Sequence, residues 1–172
     1  RYVRPEVPAA LSRVELLDHE SQNRLVSLAV DLAVFIWDAP LQNELPAILA
    51  IAAVRLGASE ALGTEIDPVA VVAAQENVER NGVADQVRII EATSPAGLGR
   101  WDIVVANILP HILLDMADAL AGSLAPHGVL ILSGILDTHV VEVQLGFAAR
   151  GLSMTEQRQE KDWTALVFRF PA

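Results

Sequence analysis

The stretch Gly57–Pro68 constrains the fold more than any other part of the sequence. It follows the Ala-rich segment Ile48–Leu56, which is typical of a helix, and Gly57 permits the left-handed turn at which such a helix ends. Ala61–Ile66 is then predicted to form a short strand. Asp67-Pro68 supplies a helix N-cap followed by proline at the first helical position. Helix, strand and helix in this order predict one unit of an α/β fold.

Glu65 stands at the C-terminal tip of that predicted strand. Ligands of open parallel sheets collect at the carboxyl ends of the strands, where an acidic side chain can accept hydrogen bonds from both ribose hydroxyls of a nucleotide-like cofactor. The alternative is a carboxylate that only caps the following helix, but Asp67 already fills that role. We therefore favour Glu65 as a ribose-binding residue.

The same alternation of strands and helices extends over most of the chain. The predicted strands are Leu32–Trp37, Ala61–Ile66, Val87–Ile90, Trp101–Ala106 and Val129–Ser133, and the predicted helices are Ser21–Val30, Ile48–Leu56, Pro68–Gly82, Pro110–Leu124 and Thr138–Arg150. Helical segments between consecutive strands predict a parallel sheet wound by right-handed crossovers.

The end of the chain departs from this pattern. Leu152–Gln159 and Trp163–Phe170 are both strand-like, and the link Glu160–Asp162 is too short for a crossover helix, so these two strands must run antiparallel. The fold class predicted is α/β: a Rossmann-like, doubly wound, mainly parallel seven-stranded sheet that ends in an antiparallel hairpin. Residues 1–30 are predicted to form an N-terminal arm and helix, and residues 31–172 a single domain.

Composition narrows the classes of partner. A formal net charge of -10 argues against non-specific nucleic-acid binding and would suit a basic protein partner, although it also simply favours solubility. With 0 cysteines the chain has no thiolate chemistry, which is compatible with the cytoplasm. No apolar run predicts a membrane span. The histidines (His19, His111, His127 and His139) lack paired ligand spacing, so no metal site is predicted.

Several blocks of sequence together resemble the catalytic domain of the PrmA family, enzymes that methylate amino groups of a large-subunit ribosomal protein. The more specific blocks are Asn107-Ile108-Leu109 and Ser133-Gly134-Ile135-Leu136, and Glu65-Ile66-Asp67-Pro68 also matches. The resemblance extends over roughly Ile48–Phe170. It implies a class I methyltransferase-like domain that uses S-adenosylmethionine.

The resemblance also implies roles for individual residues. Glu65 would bind the ribose hydroxyls, Ile66 would pack on the adenine, and Glu91-Ala92 would lie beside the adenine edge. Asn107 would hold the amino nitrogen to be methylated, or the methionine end of the cofactor, and is the candidate catalytic residue. Asp38 would stand in for the acidic residue that follows the family's first strand. An Asn at a strand end can also serve only to satisfy nearby backbone groups.

Two segments depart from the family pattern. The stretch Trp37–Ala47 contains no glycine, whereas the family has a glycine-rich turn there that lets the backbone approach the cofactor. Upstream, Asp18–Asn23 replaces a Gly-Thr-rich segment. Two hypotheses follow. The chain is an S-adenosylmethionine-dependent N-methyltransferase acting on a protein amino group, or it is a catalytically inactive methyltransferase-like domain that serves as a binding or structural partner.

Overall fold

The computed structural model of the protein describes residues 47–171. The predicted helix Ser21–Val30, the predicted strand Leu32–Trp37 and the candidate site residue Asp38 lie outside the described residues. The elements within the described range are α1 (Ile48–Arg55), β1 (Ala61–Glu65), α2 (Pro68–Arg80), β2 (Val87–Glu91), β3 (Trp101–Asn107), α3 (Pro110–Asp115), α4 (Ala117–Gly122), β4 (Leu124–Leu136), α5 (Val140–Ala148), β5 (Ser153–Glu160) and β6 (Trp163–Arg169).

The strands form two sheets among the described residues. β1 and β2 pair in parallel, and a second sheet has the order β3-β4-β6-β5. In that second sheet β3 and β4 are parallel, which confirms the prediction of parallel strands joined by helical crossovers. β4, β6 and β5 pair antiparallel, so the predicted terminal hairpin is also confirmed. The hairpin turns between Glu160 and Trp163, which face each other across the two strands.

Most element ends lie within one or two residues of the predicted ones, and three elements depart further or change in type. The helix predicted over Pro110–Leu124 is divided into α3 and α4 at Met116, whose backbone leaves helical geometry (φ -96°, ψ 3°). The helix predicted from Thr138 begins as a 3-10 turn, Asp137–His139, before α5. β4 is longer than the predicted Val129–Ser133 because it gains partners at both ends, through Trp101 of β3 and Trp163 of β6.

Each sheet has its own apolar core. α1 and α2 cover the two-stranded sheet around Val71, Ala74 and Val78. Helices α3, α4 and α5 cover one face of the four-stranded sheet, where the rings of Phe147 and Phe168 lie 5.4 Å apart between centroids. A smaller cluster occupies the opposite face of that sheet. Its buried members are Val129, Ile131, Ala165 and Val167, with Ile103 and Val105 packed against them.

Candidate functional site

The carboxylate of Glu65 is held in place by the turn that follows β1. Its Oε1 atom accepts hydrogen bonds from the backbone N–H groups of Ile66 (2.7 Å) and Asp67 (3.0 Å). No described residue donates to Oε2. One oxygen thus fixes the carboxylate at the strand tip, and the described part of the chain leaves the other available to an external hydroxyl.

Asp67 caps helix α2, as its sequence context predicts. The Asp67 side chain accepts a hydrogen bond from the backbone N–H of Val69 at 2.9 Å, and Pro68 occupies the first helical position. Because proline has no N–H group to satisfy there, this arrangement gives α2 a well-defined start. Asp67 fills the cap role, so the Glu65 carboxylate is not needed for it.

The pairing of β1 with β2 brings the other candidate adenosine-binding residues beside Glu65. Glu91 is the direct partner of Glu65 in the parallel register, and the backbone N–H of Ala92 donates to the Glu65 carbonyl at 2.9 Å. Ile66 follows Glu65 with 65% of its surface exposed. Two carboxylates, an exposed apolar side chain and a backbone turn therefore meet at the carboxyl edge of the two-stranded sheet.

Asn107 ends β3, in the other sheet. It is half-buried, and its register partner in the parallel pairing is Ser133 of β4. The two strand tips are followed by separate connections, since Pro110 opens α3 and Gly134 interrupts β4. The described pairings thus bring Asn107 together with Ser133, and Glu65 together with Glu91.

Ser133 received no site role from the sequence, although it stands at the same edge as Asn107. It is one of the buried polar residues of the described chain, with 0% of its surface exposed. A hydroxyl directly after the apolar run Val129–Leu132 was the available signal. That Ser133 lies beside Asn107 follows from the pairing of β4 with β3 and from its register, which the local sequence does not specify.

The N-terminus of α1 has an unusual backbone. Ala47 precedes the helix with φ 70°, in the left-handed region that favours glycine, and makes no side-chain cap. The first turn of α1 contains no acidic side chain. Its N–H groups therefore provide the partial positive charge that a helix N-terminus offers to anions.

Residues 47–171 contain neither a metal-ligand cluster nor a membrane-spanning helix. No three His, Cys, Asp or Glu side chains in that range are grouped as a metal site would require. Among the same residues, no helix combines the length and the apolar character needed to cross a membrane.

Comparison with known proteins identifies the family. A family model described as "Ribosomal protein L11 methyltransferase (PrmA)" matches residues 46–171. The chain belongs to the PrmA family. Ala47 and all candidate site residues except Asp38 lie within the range matched by the PrmA model.

Individual PrmA relatives agree with this assignment. The ribosomal protein L11 methyltransferase of Geobacter sulfurreducens is 48% identical over 124 residues, covering 71% of this chain and 40% of the relative. That of Chloroflexus aurantiacus is 40% identical over 149 aligned residues, covering 72% of this chain and 45% of the relative. The chain thus spans less than half the length of these PrmA relatives.

Solved methyltransferase structures superpose on this chain. The crystal structure of ribosomal protein L11 methylase from Lactobacillus delbrueckii subsp. bulgaricus superposes with a TM-score of 0.72 and 27% identity, covering 88% of this chain and 79% of that one. An RNA methyltransferase from Salinibacter ruber, solved in complex with S-adenosyl-L-homocysteine, superposes with a TM-score of 0.58 and 19% identity, covering 88% of this chain and 90% of that one. This PrmA member therefore has a Rossmann-like methyltransferase fold.

Proposed function

We propose that this chain is the cofactor-binding and catalytic part of an S-adenosylmethionine-dependent N-methyltransferase that acts on an amino group of a ribosomal protein. The observation that carries the proposal is the Glu65 carboxylate at the carboxyl edge of a parallel sheet, where Oε1 is fixed and Oε2 receives no hydrogen bond from residues 47–171. Its position is the one at which α/β folds bind ribose. Membership of the PrmA family supplies the reaction type and the class of acceptor.

The described residues suit the adenosine end of the cofactor. Glu65 would accept hydrogen bonds from the ribose hydroxyls through an oxygen that needs no reorientation. The exposed Ile66 side chain would pack on the adenine face, and Glu91-Ala92 would lie along its edge. The N–H groups at the start of α1 suit the cofactor's carboxylate, and Asp38, outside the described residues, is proposed for the methionine end.

Methyl transfer from S-adenosylmethionine to an amine needs little acid or base catalysis from the protein. S-adenosylmethionine, when bound, supplies an activated methyl group. The task of the chain is to hold the acceptor nitrogen in line with that group and to exclude water from it. The Oδ1 atom of Asn107 would accept a hydrogen bond from the amine, and would stabilise the positive charge that develops on the nitrogen.

The proposal includes a completed sheet. β1 and β3 each pair on one side only within residues 47–171, and both belong to parallel pairs. The predicted strand Leu32–Trp37 would lie between them and give seven strands.

Charge supports a basic protein as the acceptor, since the chain carries a net charge of -10. A ribosomal protein acceptor would place the activity in the cytoplasm.

Calorimetric titration with S-adenosylhomocysteine tests the cofactor site. The wild-type chain is expected to bind in the micromolar range and to gain thermal stability, because a ligand of the native state stabilises it. Glu65→Gln should weaken binding about tenfold or more, since hydrogen bonds to a charged acceptor contribute about 1.5–3 kcal/mol. Glu79→Gln, on the same αβ unit but far along α2, is the matched control and should bind as wild type does.

Methyl transfer to purified ribosomal protein L11 tests the reaction. Asn107→Ala should retain S-adenosylhomocysteine binding while losing most of the transfer rate. Absence of both heat and thermal stabilisation at millimolar S-adenosylhomocysteine would contradict the enzymatic proposal. The chain would then be a methyltransferase-like domain with a binding or structural role.

A further inference from the structure

Ser133 lies directly beside the candidate catalytic residue Asn107 in the sheet. It is fully buried, in contrast to the half-buried Asn107, and it is Asn107's direct neighbour in the parallel pairing of β3 with β4. Neighbouring strands lie about 4.8 Å apart, so the two backbones bring these residues within side-chain reach. Both residues take part in interactions in the structure.

The alternation of side chains puts Asn107 and Ser133 on the same face of the sheet. Val129 and Ile131 of β4 share a cluster with Ile103 and Val105 of β3. Because successive side chains of a strand point to opposite faces, two further residues along each strand return to the same face. Ser133 therefore extends the row of Val129 and Ile131, and Asn107 extends the row of Ile103 and Val105.

A β-bulge begins at Ser133. The pairing of β4 with β6 shifts register between Leu132 and Ile135, and Gly134 has a φ of 80°. Glycine adopts this left-handed backbone without strain. Ile135 then rejoins the large core on the opposite face. Bulges re-aim side chains at the edges of sheets, and here the bulge separates the last residue paired with β3 from the rest of β4.

We propose that Ser133 is a positioning residue for methyl transfer, with its hydroxyl oxygen accepting a hydrogen bond from the side-chain N–H₂ group of Asn107. A carboxamide has an acceptor and a donor end of nearly equal shape. A partner that binds the donor end turns Oδ1 towards the acceptor amine. Without that partner the carboxamide can rotate and present its N–H₂ group to the amine. The hydrogens of that group then repel the N–H hydrogens that the amine must direct at the carboxamide. This inference rests on the proposed function.

The competing role for Ser133 is structural, as a hydroxyl that satisfies backbone groups at the bulge. Both roles predict some loss of stability when the hydroxyl is removed. Only the positioning role predicts a change in the Asn107 carboxamide and a fall in kcat at unchanged cofactor affinity. Ser123 is the matched control, because it is also buried (3% exposed) and its hydroxyl donates to the Ala119 carbonyl at 2.8 Å, at the start of β4 rather than at its end.

Nuclear magnetic resonance of the side-chain amides tests the contact without any turnover. The ¹⁵N–¹H₂ signals of Asn107 are assigned by their absence in Asn107→Asp. We expect these signals to move, and their hydrogen exchange to accelerate, in Ser133→Ala. They should stay near their wild-type positions in Ser133→Thr, which keeps a hydroxyl, and in Ser123→Ala. Signals that stay unmoved in Ser133→Ala would overturn the contact.

Kinetics with S-adenosylmethionine and ribosomal protein L11 test the consequence. Ser133→Ala should lower kcat roughly 10–100-fold, the range that small misplacements of a reacting group produce. Its affinity for S-adenosylhomocysteine should stay within about twofold of wild type, because Glu65 is untouched. Ser123→Ala should keep the wild-type kcat. An active wild type whose Ser133→Ala variant loses no more kcat than Ser123→Ala overturns this inference alone, whereas a wild type that neither binds S-adenosylhomocysteine nor transfers methyl overturns the proposed function as well.

Discussion

The positions of Glu65 and Asp67 follow from a few neighbouring residues. A carboxylate after a short strand is expected at the strand tip, and an Asp-Pro pair before a helix is expected to form its N-cap. The structure contains both arrangements. Ser133 and Thr164 could not be assessed in this way. Their burial depends on β4 and β6 pairing across the chain, which no local pattern specifies. The hydrogen bonds of turns and caps could therefore be predicted from the sequence, whereas the burial of polar side chains inside the sheet could not.

The buried hydroxyl of Thr164 is expected to lower the stability of the fold. Thr164 is fully buried, and no residue within 47–171 forms a hydrogen bond with its Oγ1 atom. Thr164→Val keeps the shape and removes the unsatisfied hydroxyl, so we expect the free energy of unfolding to rise by about 1 kcal/mol or more. Ser123→Ala removes a satisfied hydroxyl and should lower it by about 1 kcal/mol. Denaturant unfolding measures both changes, and a loss of stability in Thr164→Val would contradict the assignment of an unpartnered hydroxyl.

At the scale of elements, the sequence predicted the type of each described helix and strand better than its ends. The buried stripe of Leu113, Ala117 and Leu120 has helical spacing, and it continues across the break at Met116, so periodicity alone indicated a single helix. The extent of β4 was underestimated because its ends are fixed by pairing with β3 and β6 rather than by their own residue types.

The absence of glycine before α1 has a measurable consequence. Ala47 has a φ of 70°, and a non-glycine residue there costs about 1–2 kcal/mol. Ala47→Gly should remove that strain, and the extra freedom of glycine in the unfolded chain should leave a net gain of about 1 kcal/mol or less. Ala52→Gly, inside α1, is the matched control and should lose about 0.5–1 kcal/mol.

Thermal unfolding of the two variants distinguishes strain from a general effect of glycine. An Ala47→Gly midpoint as low as that of Ala52→Gly would contradict the left-handed backbone at Ala47. If the loop also contacts the cofactor, Ala47→Gly should strengthen S-adenosylhomocysteine binding in the same calorimetric assay, since glycine permits a closer backbone approach.

At the scale of the whole molecule, the order of strands could be predicted only in part. The antiparallel ending followed from a link too short for a helix, and the parallel pairs followed from helical crossovers. The join between the two described sheets has no such local signal. β1 and β3 each present one edge without a partner among residues 47–171, and both belong to parallel pairs.

The predicted strand Leu32–Trp37 would fill this join, and proline substitution tests it. A proline inside a central strand removes a hydrogen-bond donor and disrupts the pairing on both sides. In Val34→Pro we expect faster hydrogen exchange in peptides from both β1 and β3, while β6, which has partners on both sides, keeps its protection. Val3→Pro, in the predicted N-terminal arm, should leave all three strands unchanged. Mass spectrometry of exchanged peptides reads the three strands in one experiment, and equal protection of β1 and β3 in the two variants would show that Leu32–Trp37 does not join the sheets.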